Sequence, residues 1–62
     1  MDDYKALKPY KGYDVIRVCE VDEITGKRIG MYRYVVEDDD DMIGEEYTTI
    51  SDAHRFIDSL VK

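Results

Sequence analysis

The sequence predicts an α+β fold: a three-stranded antiparallel sheet (β-β-β-α) with one C-terminal helix packed on one face. Two stretches rich in β-branched and aromatic residues, 12–21 and 28–36, flank the turn-forming segment Asp22–Lys27. Near the C-terminus, Ala53, Phe56, Ile57, Leu60 and Val61 recur at three- and four-residue spacing, which makes one apolar face of a helix.

Each element has its own justification. Residues 1–10 hold few apolar positions, so they read as a loosely held arm in which Tyr4 and Leu7 dock through one helical turn that Pro9 stops. Residues 11–62 form the single ββ-β-α domain. Its first strand begins after Gly12, and Gly26 supplies the positive φ that a tight hairpin connection needs. If Asp22 pairs with Lys27, then Glu20 faces Ile29, Val18 faces Met31 and Ile16 faces Arg33. The acidic run Glu37–Asp41 is expected to be a solvated loop ended by Gly44, with residues 45–50 as a short third strand. Ser51 offers an N-cap oxygen, and Asp52 puts a negative charge in the first helical turn, where the helix dipole favours it.

One helix covers one face of such a sheet. The aliphatic side, with Ile16, Val18, Ile29, Met31 and Val35, is the expected floor for Phe56, Ile57 and Leu60. That leaves the side with Tyr13, Arg17, Tyr32 and Tyr34 exposed, and Tyr and Arg are enriched in binding hot spots.

A chain of 62 residues has room for one core and no second domain. Cys19 is its only cysteine, so no internal disulfide forms, and a single His with no second Cys leaves no zinc-binding pattern. A lone thiol suits a reducing cytoplasm, and cytoplasmic is the expected location. The acidic start Met1-Asp2-Asp3-Tyr4 lacks the apolar core of a signal peptide. No apolar run approaches the roughly 18 to 20 residues that a membrane helix requires.

The net charge of −6 is unevenly spread. Residues 1–36 hold seven Lys/Arg and six Asp/Glu, whereas residues 37–62 hold two and nine, so the two parts carry +1 and −7. Such a surface repels nucleic acid and membrane lipid and attracts basic protein surfaces. Asp38–Asp41 invites a calcium reading, but a calcium loop started at Asp39 puts Ile43 and Ile50 where acids are required. No metal or other cofactor is expected. His54 has no Ser or Cys placed beside it, so no nucleophile–base–orienter set can be assembled and the chain is not expected to be an enzyme.

The order strand, Asp22-x-x-Thr25-Gly26-Lys27-Arg28, strand, strand, Thr49-x-Ser51-x-Ala53, helix resembles the small arm-binding domain of phage and transposon integrases. That resemblance spans most of residues 13–61 and implies a sheet laid into DNA, with Tyr13, Arg17, Arg28, Tyr32 and Arg33 as contacts. It also implies a phage or mobile-element source. Such a domain is basic, and this chain is not.

The leading expectation is therefore a non-enzymatic acidic module that binds a basic protein surface, in its sharpest form a nucleic-acid mimic that inhibits a DNA-handling protein. Glu37, Asp38, Asp39, Asp40, Asp41, Glu45 and Glu46 would steer the encounter, and Tyr13, Arg17, Tyr32 and Tyr34 would anchor it. A DNA-binding accessory domain is the second reading and a homo-oligomeric structural protein the third.

Overall fold

The computed structural model describes residues 1–61; Lys62, counted in the expected domain, lies outside the described residues. Its elements are β1 (Asp2–Ala6), β2 (Asp14–Val21), β3 (Arg28–Asp38), β4 (Asp41–Tyr47) and α1 (Ile50–Leu60). The strands form one antiparallel sheet in the order β1-β2-β3-β4, which overturns the three-stranded expectation. The α+β class stands.

The extra strand comes from the stretch read as an arm. Asp2–Ala6 is wholly exposed and mostly charged, so it carries too little apolar alternation to announce a strand. Its order comes from the backbone: Asp2 pairs with Glu20, Tyr4 with Val18 and Ala6 with Ile16. The ladder continues through the Leu7 N–H to the Val15 carbonyl at 2.9 Å, then through mutual bonds between Tyr10 and Tyr13 around Lys11–Gly12. There is no helical turn at Leu7.

The hairpin turn is as expected at its mouth. The Asp22 N–H donates to the Lys27 carbonyl, and the Asp22 carboxylate accepts from the Ile24 and Thr25 N–H groups. Those two amides hold its acidity stronger than usual, Thr25 contributing more. Glu20 faces Ile29, but Val18 faces Arg33, so β3 carries two more residues than β2 over that interval. An offset of two preserves side-chain parity, so the two strands share faces as the simple register implied. Met31 falls in the extra segment and is 76% exposed instead of lying opposite Val18.

The acidic run is a tight hairpin and not a loop. Glu37 pairs with Met42 and Asp38 with Asp41, leaving Asp39 and Asp40 as the two central turn residues. Both have positive φ, 52° and 67°, the mark of a type I′ turn. Ladder hydrogen bonds use only the backbone, and at an exposed sheet end water screens the neighbouring carboxylates enough for pairing to win.

The helix also differs in detail. Thr49, not Ser51, is its N-cap, accepting from the Asp52 N–H at 3.1 Å. More consequentially, α1 covers the face that the sequence suggested was open. Ala53 and Ile57 pack with Val15 and Val36, ringed by Leu7, Tyr10, Tyr13, Tyr34, Ile43, Tyr47 and Phe56. The tyrosines serve as core because their ring bodies are apolar while their hydroxyls keep polar company: Tyr10 Oη donates to Asp58. Strand β4 adds Ile43 and Tyr47 to this face, which a two-strand count omits. Leu60, placed in the core by periodicity, is 44% exposed.

Gly44 shows how closely the helix is seated. A Cβ there would lie 2.7 Å from two ring carbons of Phe56 and 2.9 Å from Tyr47 Oη, and its φ is +73°. Glycine is required twice over, by backbone conformation and by the ring above it.

Candidate functional site

The face without a helix is finished by its own side chains. Val18 and Val35 are only 3% and 7% exposed there. Arg33, the cross-strand neighbour of Val18, reaches Glu46 of β4 at 3.2 Å and Asp2 of β1 at 3.7 Å. This row of charge crosses the sheet, and its arginine stem supplies apolar cover. Glu46, expected to steer a partner, is thus partly neutralised within the chain.

The acidic residues group at one end. Glu37, Asp38, Asp39, Asp40 and Asp41 form the β3–β4 tip, and among the described residues none of them makes an ion pair. Glu45 is exposed further along β4, its N–H donating to Tyr47 Oη at 3.4 Å. The molecule measures 44 × 20 × 17 Å, and β3, its longest strand, runs from the Asp22–Lys27 turn to the tip. Among the described residues no three His, Cys, Asp or Glu side chains converge on a point that would hold a metal ion. Glu37 and Asp38 point to opposite faces of β3, and Asp39 and Asp40 lie in the turn, which spreads the carboxylates of the run.

The expected anchors are divided. Tyr13 and Tyr34 pack against the core. Arg17 and Tyr32 lie on the same sheet face beyond the helix, where the guanidinium carbons of Arg17 and Arg28 are each 4.3 Å from the Tyr32 ring centroid. Lys5 is the cross-strand partner of Arg17. Sequence reasoning missed Lys5 because its position depends on a strand with no apolar pattern.

His54 stacks on Tyr10, with ring centroids 3.9 Å apart and planes 6° from parallel. Beside it, Lys11 Nζ is 2.6 Å from Asp58 Oδ1, which also accepts from Tyr10. Lys11, then Tyr10, holds the Asp58 carboxyl below its ordinary range, and Asp58 in turn raises Lys11. This cluster ties the Lys11–Gly12 turn to α1. Cys19 is a buried free thiol, and the described surface contains no pocket. No family model matches the chain, and neither a curated protein nor a solved structure matches it.

Proposed function

We propose that this protein is a non-catalytic interaction module that engages a basic protein surface through its β3–β4 tip, in the manner of a nucleic-acid mimic. One observation carries the reading: five consecutive acids, Glu37–Asp41, occupy a tight turn and its stems with no cation paired to them among the described residues. A type I′ turn favours Asn-Gly at its centre. Asp-Asp meets the backbone requirement less well and adds like-charge repulsion, so the fold itself gives no reason for these carboxylates. Held in a turn, they form a directional negative potential that speeds encounter with a positive surface.

The test compares two charge-matched variants. Asp38→Asn with Asp39→Asn, Asp40→Asn and Asp41→Asn takes the net charge from −6 to −2 (−6 + 4). A control removes four exposed acids elsewhere: Asp3→Asn, Asp14→Asn, Glu20→Gln and Glu23→Gln. Association with an immobilised lysine-rich peptide, followed by stopped flow or biosensor at low and high salt, is the readout. The tip variant should associate more slowly than the control at low salt, with the difference fading as salt rises. Equal slowing by both would show that only net charge matters.

A further inference from the structure

The sheet face that carries α1 is covered over only part of its length. The covered part ends near the row Arg17–Tyr34–Tyr47. Towards the Asp22–Lys27 turn the same face presents Lys5, Arg17, Tyr32 and Arg28, with Lys27 next to Arg28.

The chain has 15 Asp and Glu against nine Lys and Arg, so a cation has an ample choice of carboxylates. Lys11, Arg33 and Arg55 each take at least one. Lys5, Arg17, Lys27 and Arg28 take none among the described residues, although Asp3 faces the same way two positions before Lys5. Two guanidiniums share one tyrosine ring instead. The ring's negative face offsets part of their mutual repulsion and limits their freedom, so their forked donors are already oriented before a ligand arrives. A preorganised cation pair gives up little entropy when it takes an anion.

The size and surroundings of the patch select the ligand. Val21, the partner of Arg28, lies four positions along β2 from Arg17, a backbone span of about 13 Å at the usual strand rise, and the shared Tyr32 ring draws the two guanidiniums closer than that. That accommodates two carboxylates. A nucleic-acid strand continuing past it would meet Asp3 on the same face and Asp22 and Glu23 at the turn, on a protein of net charge −6.

We infer that Lys5, Arg17, Tyr32 and Arg28 form a second docking surface, of opposite sign to the tip, that takes a short acidic peptide segment of a partner protein. Carboxylates seat on the two guanidiniums in forked hydrogen bonds, and Lys5 adds charge at the β1 side. This surface is independent of the β3–β4 tip and of the function proposed for it.

The experiment is a titration of the full ¹⁵N-labelled chain with a short synthetic glutamate-rich peptide, its glutamine counterpart and single-stranded oligothymidylate. Saturable shifts are expected at the Arg17 and Arg28 side-chain Nε–H groups and the Lys5 amide with the glutamate peptide alone. Arg17→Gln with Arg28→Gln should weaken binding by about tenfold or more. Lys5→Gln, on an exposed strand, should weaken it less and melt as wild type does. The Asn variant of the tip should bind at least as tightly as wild type, which separates this surface from the tip. Absence of saturable shifts, shifts centred elsewhere, or tighter binding of oligothymidylate than of the glutamate peptide at equal salt would overturn the inference. If the double arginine variant fails to fold, Lys5→Gln decides, and unchanged affinity in it counts against the surface.

Discussion

Replacing Gly44 by alanine probes the contact that seats the helix, and a second glycine makes the measurement interpretable. Gly44 and Gly26 have the same φ, +73°, but a Cβ at Gly26 would meet nothing within 4 Å, whereas at Gly44 it would lie 2.7 Å from Phe56. An L-residue held in the left-handed region costs about 1–2 kcal/mol, and this applies to both sites. Forcing a methyl group into packed surroundings adds about 1–3 kcal/mol, and this applies to Gly44 alone. Phe56 is stacked on Tyr47 with centroids 5.7 Å apart, so its ring yields only by giving up that contact. Gly44→Ala should therefore cost about 2–5 kcal/mol, comparable with the roughly 3–5 kcal/mol available to a domain of this size. By circular dichroism Gly26→Ala should melt as a folded protein, lowered by about 4–8 °C for each kcal/mol lost. Gly44→Ala should be largely unfolded at room temperature. Equal melting temperatures for the two variants would refute the argument that the Phe56 ring sits on the β4 backbone.

Three further outcomes are expected. Asp39→Asn with Asp40→Gly gives the tip the residues its turn prefers and removes two like charges, so thermal melting should rise by an amount corresponding to about 1 kcal/mol. Ile57 is fully buried and Leu60 is 44% exposed, so Ile57→Ala should cost about 2–5 kcal/mol in a denaturant titration and Leu60→Ala far less. Asp58 has a folded pKa below its unfolded value, so its contribution is complete above the unfolded pKa and is lost as pH falls through the folded one. Melting curves of wild type and Asp58→Asn should accordingly differ at neutral pH and converge in acid below the ordinary carboxylate range.

Several features followed from local sequence alone because their causes are local. The Asp22–Lys27 turn was legible because Asp22 caps amides two and three residues ahead and Gly26 tolerates positive φ. The helix was legible from the spacing of Ala53, Phe56 and Ile57, and the clustering of charge from simple counting. What local pattern did not contain was β1, whose exposed residues are ordered by pairing with β2 and not by burial. Nor did it contain the choice of sheet face. Judged strand by strand, the aliphatic side looked like the better floor. The helix lies on the other because β2, β3 and β4, with Leu7 and the Tyr10–Tyr13 turn, gather Val15, Tyr34, Val36, Ile43 and Tyr47 there, while Arg33 closes the aliphatic side with ion pairs to both edge strands. The sequence by itself determined the first hairpin, the C-terminal helix and where the charge lies, since these depend on neighbours a few residues away. Which face is buried, and which arginines remain without a carboxylate, depended on side chains that only the assembled sheet brings together.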